Sequence, residues 1–428
     1  MGLLLIGVLS LSCLSTSIFK QQNQALAQQY IQTIKYRNLV IDLGNGVKTR
    51  AQLTLPAIGK GPFPGVLLIA GSGAQDKNET LGFVHKNGPK PPTPFWQIAQ
   101  YLSERGFAVL RYDKRGVSAN STIDRNVWGN ATINDLIQDS KKALNVLIQQ
   151  SEVDPKRISI IGHSEGTIIA PRVAIDNSTK VKNIILMGTV ALSTRENTHN
   201  LDVTLPSEYA TQVLDKYHTG LISIQQIAKD PVLKNYFVPP SVLLTNNINV
   251  ITNALVREFG TNDSISIEKQ LNPLLIKGYE NLTAFNLLNC NNFEPCPVWL
   301  RSAFSLIPTL SIIGNVSKST GILILNGEND SLTPVQQAFL LQQRLTEVNH
   351  PDHTLITYPN LGHVFYPSSQ WSTGFGPIQQ YVLADLYAWL EAHSGLSHSF
   401  ATTTSTMGAN TSSLNTNTTS PPSSSSKR

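Results

Sequence analysis

The feature that most constrains this chain is Gly162-His163-Ser164-Glu165-Gly166, set directly behind the apolar run Ile158-Ser159-Ile160-Ile161. The run predicts a buried strand, and Thr167 to Ile175 beyond it predicts a helix. A Gly-x-Ser-x-Gly turn between strand and helix strains the serine and exposes its hydroxyl, while the flanking glycines let two backbones pass closely. Such a turn presents a nucleophile.

The surrounding pattern agrees. Lys48 to Leu55 and Asn38 to Asp42 alternate apolar and polar residues around Gly44-Asn45-Gly46, which predicts a β-hairpin. The period then changes. Val66 to Ala70, Phe107 to Tyr112, Arg157 to Ile161 and Val181 to Met187 predict strands buried on both faces. Helical spacing separates them at Phe95 to Glu104 and Thr132 to Gln149, the latter with Asp135 and Asp139 in its early turns. The alternation resumes with strand Gly321 to Asn326, helix Pro334 to Thr346, strand Thr354 to Tyr358 and helix Pro377 to Ala392. The fold class expected is therefore α/β, a mostly parallel sheet wound with helices. The interruption is too long for a loop and predicts an inserted, mainly helical lid. The expected divisions are 1–27, 28–189 for the first half of the core, 190–318 for the lid, 319–396 for the second half, and 397–428.

Composition narrows the compartment and partners. A net charge of +5 is spread along the chain with no basic run, which argues against nucleic acid as a partner. Residues 1–27 carry an apolar run to about Ile18 and a small-x-small site at Ala25-Leu26-Ala27, the pattern of an export signal. A membrane association is expected only through that segment left uncleaved, and the expected location is secreted or cell-surface. Cys290 and Cys296 lie close enough for a local disulfide, which export would favour; two free thiols are the alternative. Ser, Thr, Asn and Pro dominate 397–428, a composition that cannot bury enough apolar surface to fold.

A serine hydroxyl needs a base, and the base needs a group that fixes its tautomer. In a sheet of this kind the acid and then the histidine follow later strands, at the carboxyl edge. Asp330 lies just past Ile322-Leu323-Ile324-Leu325, with Glu328 and Asp352 as alternative acids. His363 lies just past Leu355-Ile356-Thr357-Tyr358; His350 and His353 precede that strand, at the wrong edge. An oxyanion needs backbone N–H donors. Glu165, after the serine, supplies one, and the turn Ala70-Gly71-Ser72-Gly73 supplies the other, assigned to Ser72 with Gly73 as the alternative. The Glu165 side chain is read as a carboxylate favouring the helix dipole rather than as a catalytic acid.

With these residues in place, the chain resembles the α/β-hydrolase superfamily, and within it lid-bearing carboxylesterases. The resemblance rests on Gly71 to Thr80, on Tyr112-Asp113-Lys114-Arg115-Gly116 and on 162–166, and covers roughly Val66 to Met187 and Gly321 to Trp389. Ala74 stands where a proline is usual, Thr167 where a further glycine is common, and Lys86 to Thr93 form a Pro-rich insertion. The resemblance implies a serine hydrolase that cleaves esters through an acyl-enzyme, with no cofactor and no metal, acting on a small ester. Serine aminopeptidases share the core nearly as well, which keeps a short peptide substrate open. A non-catalytic surface protein of the same fold would show a lost triad residue, and Ser164, Asp330 and His363 are all present. Asp76, Asp113 and Arg115 are read as ordering loops.

Overall fold

A computed structural model describes residues 33–82, 90–118, 122–284 and 296–396. The expected signal at 1–27, the tail at 397–428, Cys290 and the first half of the Pro-rich insertion lie outside the described residues. Strands β1 (Ile34–Gly44) and β2 (Val47–Pro56) form the hairpin read from the sequence, turning on Asn45 and Gly46, both at positive φ. Two successive residues at positive φ make the turn whose twist matches the flanking strands.

Eight strands form one sheet in the order β1-β2-β4-β3-β5-β6-β9-β10. Its members after the hairpin are β3 (Phe63–Ile69), β4 (Ala108–Tyr112), β5 (Val153–His163), β6 (Val181–Met187), β9 (Gly321–Gly327) and β10 (His353–Tyr358). All pairings from β4 through β3, β5, β6 and β9 to β10 are parallel, and β2 alone runs against its neighbours. Parallel neighbours require crossovers, and four helices supply most of them: α1 (Pro94–Ser103), α2 (Ile133–Ile148), α3 (Glu165–Asp176) and α4 (Gln336–Glu347). Helix α5 (Gln380–Ser394) follows β10. Thr132 and Asp135 cap α2 reciprocally, satisfying two otherwise orphaned amides.

The central strands are apolar throughout because both faces are covered. Leu67, Ile69, Ile160, Ile184 and Ile322 share one core with α2, α3 and α4. Leu68, Ile161, Ile185 and Leu323 face the other way, onto α1 and α5. Along each strand alternate side chains therefore enter different cores.

Between β6 and β9 the chain is mostly helical, as the sequence predicts, but it also carries a hairpin not read from the sequence. Strands β7 (Leu221–Ser223) and β8 (Ser264–Ser266) pair antiparallel. The insertion has an apolar cluster of its own, including Ile222, Leu233, Leu255, Ile265 and Leu271. Gln337 of α4 fastens its first turn: Oε1 accepts from the amides of Ala191 and Leu192, and Nε2 donates to Asn197. Cys296 is buried and disulfide-bonded.

Candidate active site

The carboxyl ends of β3, β5, β6, β9 and β10 converge, and every residue expected to do chemistry lies there. Ser164 follows β5 at φ 53°, ψ −115°, a conformation that non-glycine residues avoid. Its side chain makes no capping hydrogen bond to α3, so it is not an ordinary helix cap. The glycines around it are required. A Cβ on Gly162 would come 2.2 Å from the carbonyl oxygen of Gly166, and one on Gly166 would come 2.1 Å from that of Ile69.

The turn after β9 holds Asp330 and the loop after β10 holds His363, both buried. His363 Nδ1 donates to Asp330 Oδ2 at 2.9 Å. The carboxylate also accepts from the amides of Leu332 and Thr333, at 2.9 and 2.8 Å, and from the Thr333 hydroxyl at 2.7 Å. Four donors thus converge on this one carboxyl group, and the bond from Nδ1 sets the tautomer of the ring. Nε2 is left with its lone pair. Of the alternative acids, Glu328 accepts from Thr357 and Asp352 pairs with His393. His353 donates to the His350 carbonyl, away from this edge.

Ser164 and His363 each lie against the end of β6. The Ser164 amide donates to the Met187 carbonyl, and the next residue, Gly188, packs on the imidazole. A Cβ there would stand 3.1 Å from both Cε1 and Nδ1 of His363.

The expected oxyanion donors face one cavity of about 450 Å³, lined among others by Ser72, Gly73, Ser164 and Glu165. The Gly71 amide is already used, donating to Glu79 Oε1 at 2.6 Å. Among the described residues the amides of Ser72, Gly73 and Glu165 have no acceptor. The lining also includes the apolar side chains of Trp128, Ile168, Val190, Leu201, Trp299 and Leu300. The Asp202 carboxylate is also there, on a π-helical turn of the insertion, Asn200–Thr204. Burial pushes it up to about 6.

Three polar contacts were not read from the sequence. Glu165 does not merely favour the helix dipole: its Oε1 lies 2.5 Å from Lys114 Nζ in a buried ion pair, and that ammonium also donates to the Gly71 carbonyl. Glu79 accepts from His163 Nδ1 at 2.8 Å. Thr333 bridges to both Asp330 and His363. The loop residues behave as expected: Asp76 accepts from Asn78 and Thr80, Asp113 from Lys77, and Arg115 forks onto Asp139.

Parts of the chain are similar to known proteins. Residues 94–236 match the family described as serine aminopeptidase, S33, and 289–397 match the prolyl oligopeptidase family. Esterase EstD of Thermotoga maritima is 34% identical over 124 residues, 29% of this chain and 26% of that protein, so the match spans about a quarter of that relative. Among solved structures, the α/β hydrolase GrgF from Penicillium sp. sh18 has a TM-score of 0.49 at 16% identity, over 85% of this chain and all of that one. Proline iminopeptidase of Mycobacterium smegmatis has a TM-score of 0.47 at 14% identity, over 84% and 99%. The matched stretches are similar to serine aminopeptidases, prolyl oligopeptidases and an esterase, and the parallel sheet wound with helices is the α/β class expected from the sequence.

Proposed function

We propose that the protein hydrolyses carboxylic esters through an acyl-enzyme on Ser164. The observation that carries this reading is the buried Asp330–His363 pair, at 2.9 Å, beside a strained serine whose hydroxyl caps no helix. His363 Nε2 takes the serine proton as the hydroxyl attacks the acyl carbon, and returns it to the leaving alcohol. Asp330 holds the imidazole in the tautomer this needs. The oxyanion is held by the amides of Ser72 and Glu165, which have no other acceptor among the described residues. Water then releases the acid by the same route. The cavity suits a small ester, and the insertion that contributes Leu201 and Leu300 to its wall is a lid.

A second reading, a serine aminopeptidase, is favoured by Asp202. A carboxylate with no ion pair among the described residues, lining the same cavity as Ser164, matches the ammonium group of a short peptide. The location we propose is secreted or cell-surface, supported by the apolar N-terminal segment and the disulfide at Cys296.

A fluorophosphonate probe on wild type and Ser164→Ala, followed by short-chain p-nitrophenyl esters and aminoacyl anilides, tests these readings. Labelling of the wild type alone with faster ester turnover supports the esterase; faster anilide turnover replaces it with the peptidase. A folded wild type that takes no label rules out both and leaves a non-catalytic binding protein.

A further inference from the structure

Beside the Asp330–His363 pair lies a second buried carboxylate–imidazole pair, Glu79 and His163, that the reaction above does not use. His163 is the last residue of β5, next to Ser164, and Glu79 sits in the loop after β3 at φ 52°. Glu79 Oε1 accepts from the Gly71 amide at 2.6 Å and from His163 Nδ1 at 2.8 Å. His163 Nε2 lies 3.1 Å from the carbonyl oxygen of His363, and the two imidazole rings are 4.8 Å apart.

The proton count follows from the partners. A backbone carbonyl only accepts, so Nε2 must carry a hydrogen. Nδ1 faces a carboxyl oxygen that already accepts from Gly71, so it carries a hydrogen too when Glu79 is ionised. A neutral imidazole has one N–H and cannot satisfy both. We propose that His163 is held as an imidazolium by Glu79, and that this charged pair is a positioning device coupling the oxyanion turn to the loop of the catalytic base. One end fixes Gly71, beside Ser72; the other fixes the backbone of His363. The inference rests on the reading of His363 and Ser72 given above.

The surroundings support a charged pair locked in place. From α1 come Phe95 and Ile98, from β6 Met187, and from the loop after β10 Val364 and Phe365, all apolar. The charged groups near it are Asp330, whose field favours the imidazolium, and the Lys114–Glu165 pair, which compensates itself on the far side of Gly71. Burial opposes the charge on His163, but Glu79 and Asp330 outweigh it and raise the imidazole above its ordinary range. A raised folded value places the dependence on the alkaline side. The clamp is complete below the ordinary imidazole range and is lost as pH rises through the raised folded value, when one of the two N–H bonds must go.

The test is the ¹⁵N spectrum of the imidazoles in the folded wild type at pH 7.5, with kcat against pH for wild type and Glu79→Gln. The proposal expects one histidine with both ring nitrogens protonated at that pH, a signal absent from Glu79→Gln. It also expects kcat to fall by about ten- to a hundredfold in Glu79→Gln, with KM nearly unchanged and the alkaline limb displaced to lower pH. A purely structural Glu79 would lower the yield of folded protein without moving that limb. If no histidine is doubly protonated at pH 7.5, or the two profiles share one alkaline limb, the proposal is overturned. The nitrogen signals need no variant to fold and no turnover. A wild type that takes no fluorophosphonate therefore defeats the reading of Ser164 separately.

Discussion

Lys114 Nζ lies 2.5 Å from Glu165 Oε1 and donates at the same time to the carbonyl of Gly71. One ammonium thus joins the residue after Ser164 to the turn that carries the other proposed oxyanion donor. Both side chains are almost fully buried, so neither charge is solvated if its partner is removed. Lys114→Met should cost about 3–5 kcal/mol of stability by leaving Glu165 unpaired, and Lys114→Met/Glu165→Leu should recover much of it. Denaturant melts of the two variants check this; equal losses in both would mean the pair is not coupled.

Ser164 stores backbone strain at φ 53°, ψ −115°. Glycine adopts such a conformation without a Cβ penalty. Ser164→Gly should therefore be more stable than Ser164→Ala by about 1–3 kcal/mol, while both lose kcat by on the order of 10⁶. Thermal melting ranks the two, and a lower melting temperature for the glycine variant would contradict the strain.

Gly188 fits against the proposed base at positive φ. In Gly188→Ala the new methyl would press on Cε1 and Nδ1 of His363 and turn the ring away from Ser164. Steady-state kinetics should show kcat reduced on the order of a hundredfold, with the larger loss in kcat rather than KM.

Asp202 gives a stability signature with a definite sign. Burial raises its carboxyl to about 6 in the folded protein. A raised acid binds its proton more tightly when folded, so its contribution is fully present below the unfolded range near 4 and is lost as pH rises through about 6. Asp202→Asn should melt like the wild type at pH 4 and above it at pH 8. On the peptidase reading the same substitution should raise KM for aminoacyl anilides and leave neutral esters unaffected.

The sheet was legible because β3, β5 and β9 read as unbroken apolar runs, which only strands covered on both faces need. Ser164, Asp330 and His363 could be placed at the carboxyl edge of the sheet because each comes shortly after a strand, and the structure puts them there. Glu79 and Lys114 were not legible. Each is a single charged residue in a loop, and its partner is 84 or 51 residues away, at His163 or Glu165. No periodicity marks such a pairing. Strands β7 and β8, three residues each, are too short to show alternation. Asp202 gains its meaning from a π-helical turn that widens the helix locally, and propensity does not foretell such a turn.

The insertion's separate apolar cluster has an evolutionary consequence. Its interior packs mainly on itself, while the strands that hold Ser164, Asp330 and His363 pack on the two cores of the sheet. Substitutions in that cluster therefore fall on the insertion's own packing, whereas Cys296 and Ala303, further along it, belong to the sheet's core. Sequence can drift in that cluster while the packing that holds Ser164, Asp330 and His363 is kept.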